Sequence, residues 1–248
     1  MTHPLKFSKG NHQYRLDGKP VKGVTTLISG GVPKPALVRW SARTVAEYVA
    51  DNSDAVEQLR AMGRNSMVNA LKGVPWDSRD KAAARGTDVH KLGEDLVHGR
   101  EVDVPEHLLG HVEGYAKFLD EWQLEPILTE KMVANREHWY GGTFDLIATM
   151  HGTPWLLDLK TAKGVYGENA LQCSAYRNAE FWQDDDGLEQ PMPEVERIGV
   201  LHVREDGTTL VPLDSGPKPF QCFLHAAWLC KQADAIKSFV LETEAVPA

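Results

Sequence analysis

Between Trp155 and Lys160 the chain reads WLLDLK, an apolar run of strand character with an aspartate and a lysine inside it. Leucine-rich strands are built for burial, where an unpaired charge is expensive, so the fold has to supply these two groups with partners. Side chains alternate across a strand, which sets Leu156, Asp158 and Lys160 on one face and Trp155, Leu157, Leu159 and Thr161 on the other. A further acidic residue, Asp145, lies in the preceding run YGGTFDLIATM, across a short His151-Gly152 turn. Antiparallel pairing of the two runs would bring Asp145 and Asp158 side by side. Adjacent carboxylates repel unless a proton or a cation lies between them, and oxygen ligands of this kind suit Mg²⁺ or Mn²⁺. Lys160 then stands where an ammonium can orient a water or offset the charge of a phosphate.

The rest of the chain is divided by its periodicity. HQYRLDGKPVKGVTTLI alternates around an Asp17-Gly18 turn signal and predicts a β-hairpin. From Pro35 the spacing becomes helical, with Leu37, Trp40, Val45, Tyr48 and Val49 recurring, and further helices are predicted over 53–71, 78–97 and 105–123. Three strands follow, PILTEKMVA, YGGTFDLIATM and PWLLDLKTA, as an antiparallel meander. After them come a helix over 169–182, an acidic loop QDDDGLEQPMPE, a hairpin of RIGVLHV and TTLVPL, and a helix over 219–240. This order predicts an α/β (α+β) fold: a mixed sheet whose antiparallel three-strand meander is flanked by helices, with a helical N-terminal elaboration. One domain over 1–248 is expected, with hairpin and helices in 1–80, the core in 81–215 and a C-terminal helix in 216–248.

A chain of 248 residues, 42% hydrophobic and 25% charged, can bury a core of that size. No run approaches the roughly 20 apolar residues that span a bilayer, and MTHPLKFSKG lacks the apolar core of a signal peptide. The expectation is a cytoplasmic protein with no membrane partner. Cys173, Cys222 and Cys230 have no CxxC spacing, which argues against a disulfide framework and against a four-cysteine metal site. The net charge of −8 argues against a general polyanion binder, so nucleic-acid binding would have to come from a local surface.

Gly142-Thr143-Phe144-Asp145 followed by Asp158-Leu159-Lys160 resembles the signature of the PD-(D/E)XK nuclease superfamily. Within it the chain is most similar to the RecB-type branch, which includes CRISPR-associated exonucleases and many phage exonucleases. Two more motifs of that branch have counterparts in the same order: Arg85-Gly86-Thr87-Asp88-Val89-His90 upstream and Gln172-Cys173-Ser174-Ala175-Tyr176 downstream. The residues support the same picture physically. Gly86, His90 and Glu94 recur at four-residue intervals beside the apolar Val89, Leu92 and Leu96, so His90 can face the sheet and add an imidazole ligand. Gln172 and Tyr176, one turn apart, can present an amide and a phenol to a phosphate backbone or to Lys160. Glu94 and Glu130 are within reach of the same place but read as a solvated helix face and a strand ion pair.

The resemblance implies a restriction-endonuclease-like core and metal-dependent phosphodiester hydrolysis. His90, Asp145, Asp158 and the main-chain carbonyl of Leu159 would hold one or two Mg²⁺ or Mn²⁺ ions, Lys160 would position the attacking water, and Gln172 and Tyr176 would lie alongside. Members of the branch with an iron-sulfur cluster carry a cysteine before the core, and none precedes Cys173 here, so no cluster is expected. The implied activity is a DNA exonuclease acting on linear ends in phage or bacterial recombination, repair or replication, with a recombination protein as partner. A structure- or site-specific endonuclease of the same fold is one alternative. A non-catalytic DNA-binding protein is another, although its usual mark, a lost carboxylate or lysine, is missing. Lys81, Arg85 and Lys91 are candidate phosphate contacts.

Overall fold

In the computed structural model, which describes residues 5–8 and 10–240, the chain begins with three short strands: β1 (Lys6–Ser8), β2 (Gln13–Leu16) and β3 (Lys19–Val21). They form an antiparallel sheet whose second turn falls on Asp17-Gly18, both with positive φ, as a two-residue hairpin turn requires. The strand expected at GVTTLI is instead helix α1 (Val24–Gly31). Val24, Leu27 and Ile28 lie one helical turn apart and all three are buried, which outweighs the β-branched composition.

Helices α2 (Pro35–Asp51), α3 (Ser53–Ala61), α4 (Arg64–Val97) and α5 (Leu109–Glu121) follow. No break occurs between 71 and 78: α4 runs for 34 residues through Pro75. The interruption lies instead at Gly63, whose φ of 95° is cheap for glycine and ends the preceding helix. Helices α2 and α3 pack on α4 and on each other, and α2 buries none of its residues.

The expected meander is β4 (Glu125–Asn135), β5 (Tyr140–Met150) and β6 (Thr153–Lys160), paired antiparallel in that order. Then come α6 (Gly167–Arg177), β7 (Phe181–Gln183), β8 (Glu189–Pro191), β9 (Arg197–Arg204), β10 (Gly207–Leu213) and α7 (Lys218–Lys237). Strand β9 lies parallel to β6, a crossover that α6 makes possible, so one mixed seven-stranded sheet runs β10-β9-β6-β5-β4-β7-β8. The helix expected to reach Trp182 stops at Arg177, because Phe181 and Trp182 are β-formers that pair with Ala134 and Val133 along the free edge of β4. Part of the acidic loop thereby becomes the β7-β8 hairpin.

Each face of the sheet has its own core. Val24, Ile28, Phe144, Leu156, Tyr176 and Phe223 hold α1, α6 and α7 against one face. Val89, Val112, Tyr115, Leu146, Leu157 and Leu159 hold the end of α4 and α5 against the other. Among the described residues no helix is long and apolar enough to cross a membrane.

Candidate metal centre

Phe144 lies in the first of these cores, whereas Leu146, which would share its face in a regular strand, lies in the second. The alternation of β5 therefore breaks at Asp145. Strand β4 is irregular at the same level: Thr129 pairs with Leu146 and Lys131 with Phe144, which leaves Glu130 opposite Asp145 with a φ of 48°. Left-handed backbone in such a residue costs about 1–3 kcal/mol and persists where its surroundings hold it. On the other side Leu146 pairs with Leu157, which sets Asp158 opposite Asp145. Glu130, Asp145 and Asp158 thus form a row across three neighbouring strands.

Helix α4 delivers the imidazole. Gly93 lets it approach closely, since a Cβ there would lie 3.2 Å from both Leu159 and Tyr115. Val89 is buried beside it, and His90 comes to rest over the break with Nδ1 3.6 Å from Asp145 Oδ2. One ligand atom from each of His90, Glu130 and Asp145 lies within 4.8 Å of the others. Glu94, one turn further along the helix, lines the same cleft. Glu130 is exposed as a residue, but its carboxyl borders that cleft; partial burial, then the charges of Asp145, Glu94 and Asp158, push it up to about 8.

Asp145 Oδ2 also accepts a hydrogen bond of 2.7 Å from the Leu159 amide, just beyond the last β5-β6 pair at Leu146 and Leu157. Asp158 is 1% exposed. Its Oδ1 accepts 2.8 Å from the Gln172 amide, and its Oδ2 faces the Lys160 ammonium as an ion pair with no aligned hydrogen bond. Burial raises the Asp158 carboxyl to about 6 against the opposing pull of Lys160. For Lys160, burial disfavours the ammonium, but Asp158 and Asp145 prevail and its pKa is raised. The lysine stays charged.

Of the expected ligands, His90 and Asp145 converge, while Asp158 is engaged by Lys160 and Gln172 and the Leu159 carbonyl lies 3.4 Å from Lys160 Nζ. Glu130 joins the first two, and its signal is register: with the strand turn at 136–139, position 130 falls opposite 145. Gln172 and Tyr176, expected to present an amide and a phenol to a phosphate backbone or to Lys160, lie against the sheet. Cys173, Ser174, Ala175 and Tyr176 are all buried, so this face of α6 lies down on the sheet, and Gln172 turns inward to Asp158. The Tyr176 ring occupies the space that a side chain on Gly142 would need, a Cβ there falling 2.4 Å from Cε1. The glycine of one motif and the tyrosine of the other are two halves of one contact. Burial, then Asp158, raises the Tyr176 phenol, which stays protonated.

Sequence reasoning missed Tyr14. Its ring packs on Gly23 and Gly141, and its hydroxyl is 2.9 Å from Thr143 Oγ1, two residues before Asp145. Arg85 and Lys91 are exposed, and the side chain of Lys81 lies outside the described residues. Compared with known proteins, the chain matches no protein-family model and no curated protein.

Proposed function

We propose that the chain is a divalent-metal-dependent nuclease that hydrolyses DNA phosphodiester bonds as an exonuclease, working in the cytosol of a bacterial or phage-infected cell. The observation that carries this reading is the convergence of His90, Glu130 and Asp145 on one point, with the Asp158–Lys160 pair on the adjoining strand. Two carboxylates and an imidazole, with Glu94 close by, are the donor set that Mg²⁺ or Mn²⁺ takes, and the part of the raised Glu130 pKa that comes, after burial, from Asp145, Glu94 and Asp158 is repulsion that such an ion would relieve. The order of the four motifs adds DNA as the substrate.

A divalent ion bound there would supply charge for the phosphoryl oxygens and a more acidic water. The protein's own groups hold that place in shape: the Leu159 amide fixes Asp145, and Gln172 fixes Asp158. Lys160, kept cationic, orients the attacking water and offsets charge developing on the phosphate. Its pairing with Asp158 restrains that ammonium beside the row of carboxylates.

End-labelled linear DNA and closed circular DNA, each with Mg²⁺, Mn²⁺ or a chelator, test the reading. The linear form should shorten with metal, the circle should survive, and the chelator should stop the reaction. Asp158→Ala and Lys160→Ala should each lose about a hundredfold or more. Full activity in either variant would overturn the nuclease reading, and cutting of the circle would make it an endonuclease.

A further inference from the structure

Away from the metal centre, α4 carries an aromatic ring in solvent with a cation above it. Trp76 is 57% exposed, and the Arg79 guanidinium carbon is 4.4 Å from the ring centroid. Trp76, Arg79, Ala83, Gly86 and His90 recur at three- and four-residue spacing, so they line one stripe of the helix. The stripe leads from Trp76 to His90 over about 21 Å, at about 1.5 Å per residue. Only Ala83 and Gly86 separate Arg79 from His90 on it, and a Cβ at Gly86 would meet the Thr161 hydroxyl at 3.4 Å, one residue beyond Lys160. Between Arg79 and His90 the stripe itself carries only these small residues, with Thr161 standing against it at Gly86.

The charge of the chain is divided to match. Residues 1–91 hold 15 lysines and arginines against 8 aspartates and glutamates, a net of +7, whereas residues 92–248 hold 12 against 27, a net of −15. The total of −8 conceals this. Within the first part, residues 64–91 of α4 hold 6 lysines and arginines against 3 aspartates, a net of +3, so a polyanion is repelled by most of the chain and attracted to this stretch of α4.

We propose that a single-stranded nucleic-acid segment lies along this stripe, with a base stacked on Trp76, a phosphate on Arg79 and the strand end at His90. The direction toward His90 rests on the nuclease reading, while the binding itself does not. The occupant is a single strand because an indole face in solvent serves an unpaired base, whatever its sequence. The 2.8 Å Arg79–Asp80 pair, more than half exposed on both sides, is worth little and can be exchanged for a phosphate. About 21 Å corresponds to about six stacked nucleotides at about 3.4 Å each.

The test uses the full chain with a chelator present and a labelled oligodeoxythymidine of about twelve nucleotides beside a blunt duplex. Trp76→Ala should weaken the oligonucleotide about tenfold or more and spare the duplex, and Trp76→Phe should restore most of the affinity. Arg79→Ala should lower the salt slope by about one. With Mn²⁺, Trp76→Ala should raise KM for the oligonucleotide. Undiminished oligonucleotide affinity in Trp76→Ala overturns the path, even if hydrolysis depends on Asp158. Equal losses on duplex and single strand overturn it too. Loss of oligonucleotide binding in a protein that hydrolyses nothing under any metal upholds the path and removes the nuclease reading alone.

Discussion

At the candidate site partial burial, then the charges of Asp145, Glu94 and Asp158, push the Glu130 carboxyl up to about 8, far above the ordinary value of 4.5. Between those values the folded protein keeps a proton that the unfolded chain has lost, so stability falls as pH rises through the window. Asp158, raised from 3.8 to about 6, acts in the same direction over the lower part. Glu130→Gln is therefore expected to abolish the decline above about pH 6 and to keep it below, as read from urea midpoints in chelator. Binding a metal reverses the preference, because a ligating carboxylate must give up its proton. Mn²⁺ affinity should rise with pH up to about 8, with proton release that calorimetry in buffers of different ionisation heat can count. Release above about pH 6 that is as large in Glu130→Gln as in the native protein would remove Glu130 from the ligand set. A neighbouring residue offers a test of packing. Gly142→Ala puts its methyl 2.4 Å from the Tyr176 ring and should cost about 1–3 kcal/mol, with loss of activity as α6 lifts.

At the scale of elements, glycines distinguish a packed crossing from an open one. A Cβ at Gly31 would lie 2.0 Å from the Ala226 carbonyl oxygen of α7, and backbone cannot turn aside as a side chain can. Gly31→Ala should lose about 1–3 kcal/mol or more in denaturant unfolding. Gly73, inside α4, has nothing within 4 Å of its would-be Cβ, so Gly73→Ala should gain about 1 kcal/mol. The same contrast explains what the sequence made legible. The meander and the β9-β10 hairpin follow from local alternation, and both formed. Helix α1 depends on burial against α7, some two hundred residues away, and β7 on the vacant edge of β4, which no local spacing announces. The candidate metal centre divides likewise. His90, Asp145, Asp158 and Lys160 stand out by motif order, whereas Glu130 needs the β4 register and a positive φ, and Tyr14 reaches Thr143 across 129 residues.

For the molecule as a whole, the N-terminal sheet reaches the centre through Tyr14, and Arg136 is what fastens that sheet down. Its guanidinium donates to Asp17 at 2.9 and 3.2 Å and to Glu180 at 3.1 Å, pairs with Glu189, and lies 4.7 Å over the Phe181 ring. One side chain thus joins the β2-β3 turn, the link after α6 and strand β8. Removing it leaves three carboxylates facing one another around a place that is only partly open to water, Arg136 being 26% exposed. Arg136→Ala should cost about 2 kcal/mol at neutral pH, less as acid neutralises the carboxylates. Arg136→Lys should recover less than half, since a single ammonium cannot make the forked contact to Asp17 while holding Glu189 and stacking on Phe181. The loosened sheet should also show itself at a distance: limited proteolysis between β3 and α1 should quicken, and KM for DNA should rise more than kcat falls if Tyr14 helps shape the approach to Asp145. Native-like unfolding and proteolysis in Arg136→Ala would mean that the N-terminal sheet is held without this guanidinium, by Leu5, Leu16 and Val21 against Ala134 and Phe181 and by hydrogen bonds such as Tyr14 to Thr143 and Trp139 to the Pro20 carbonyl.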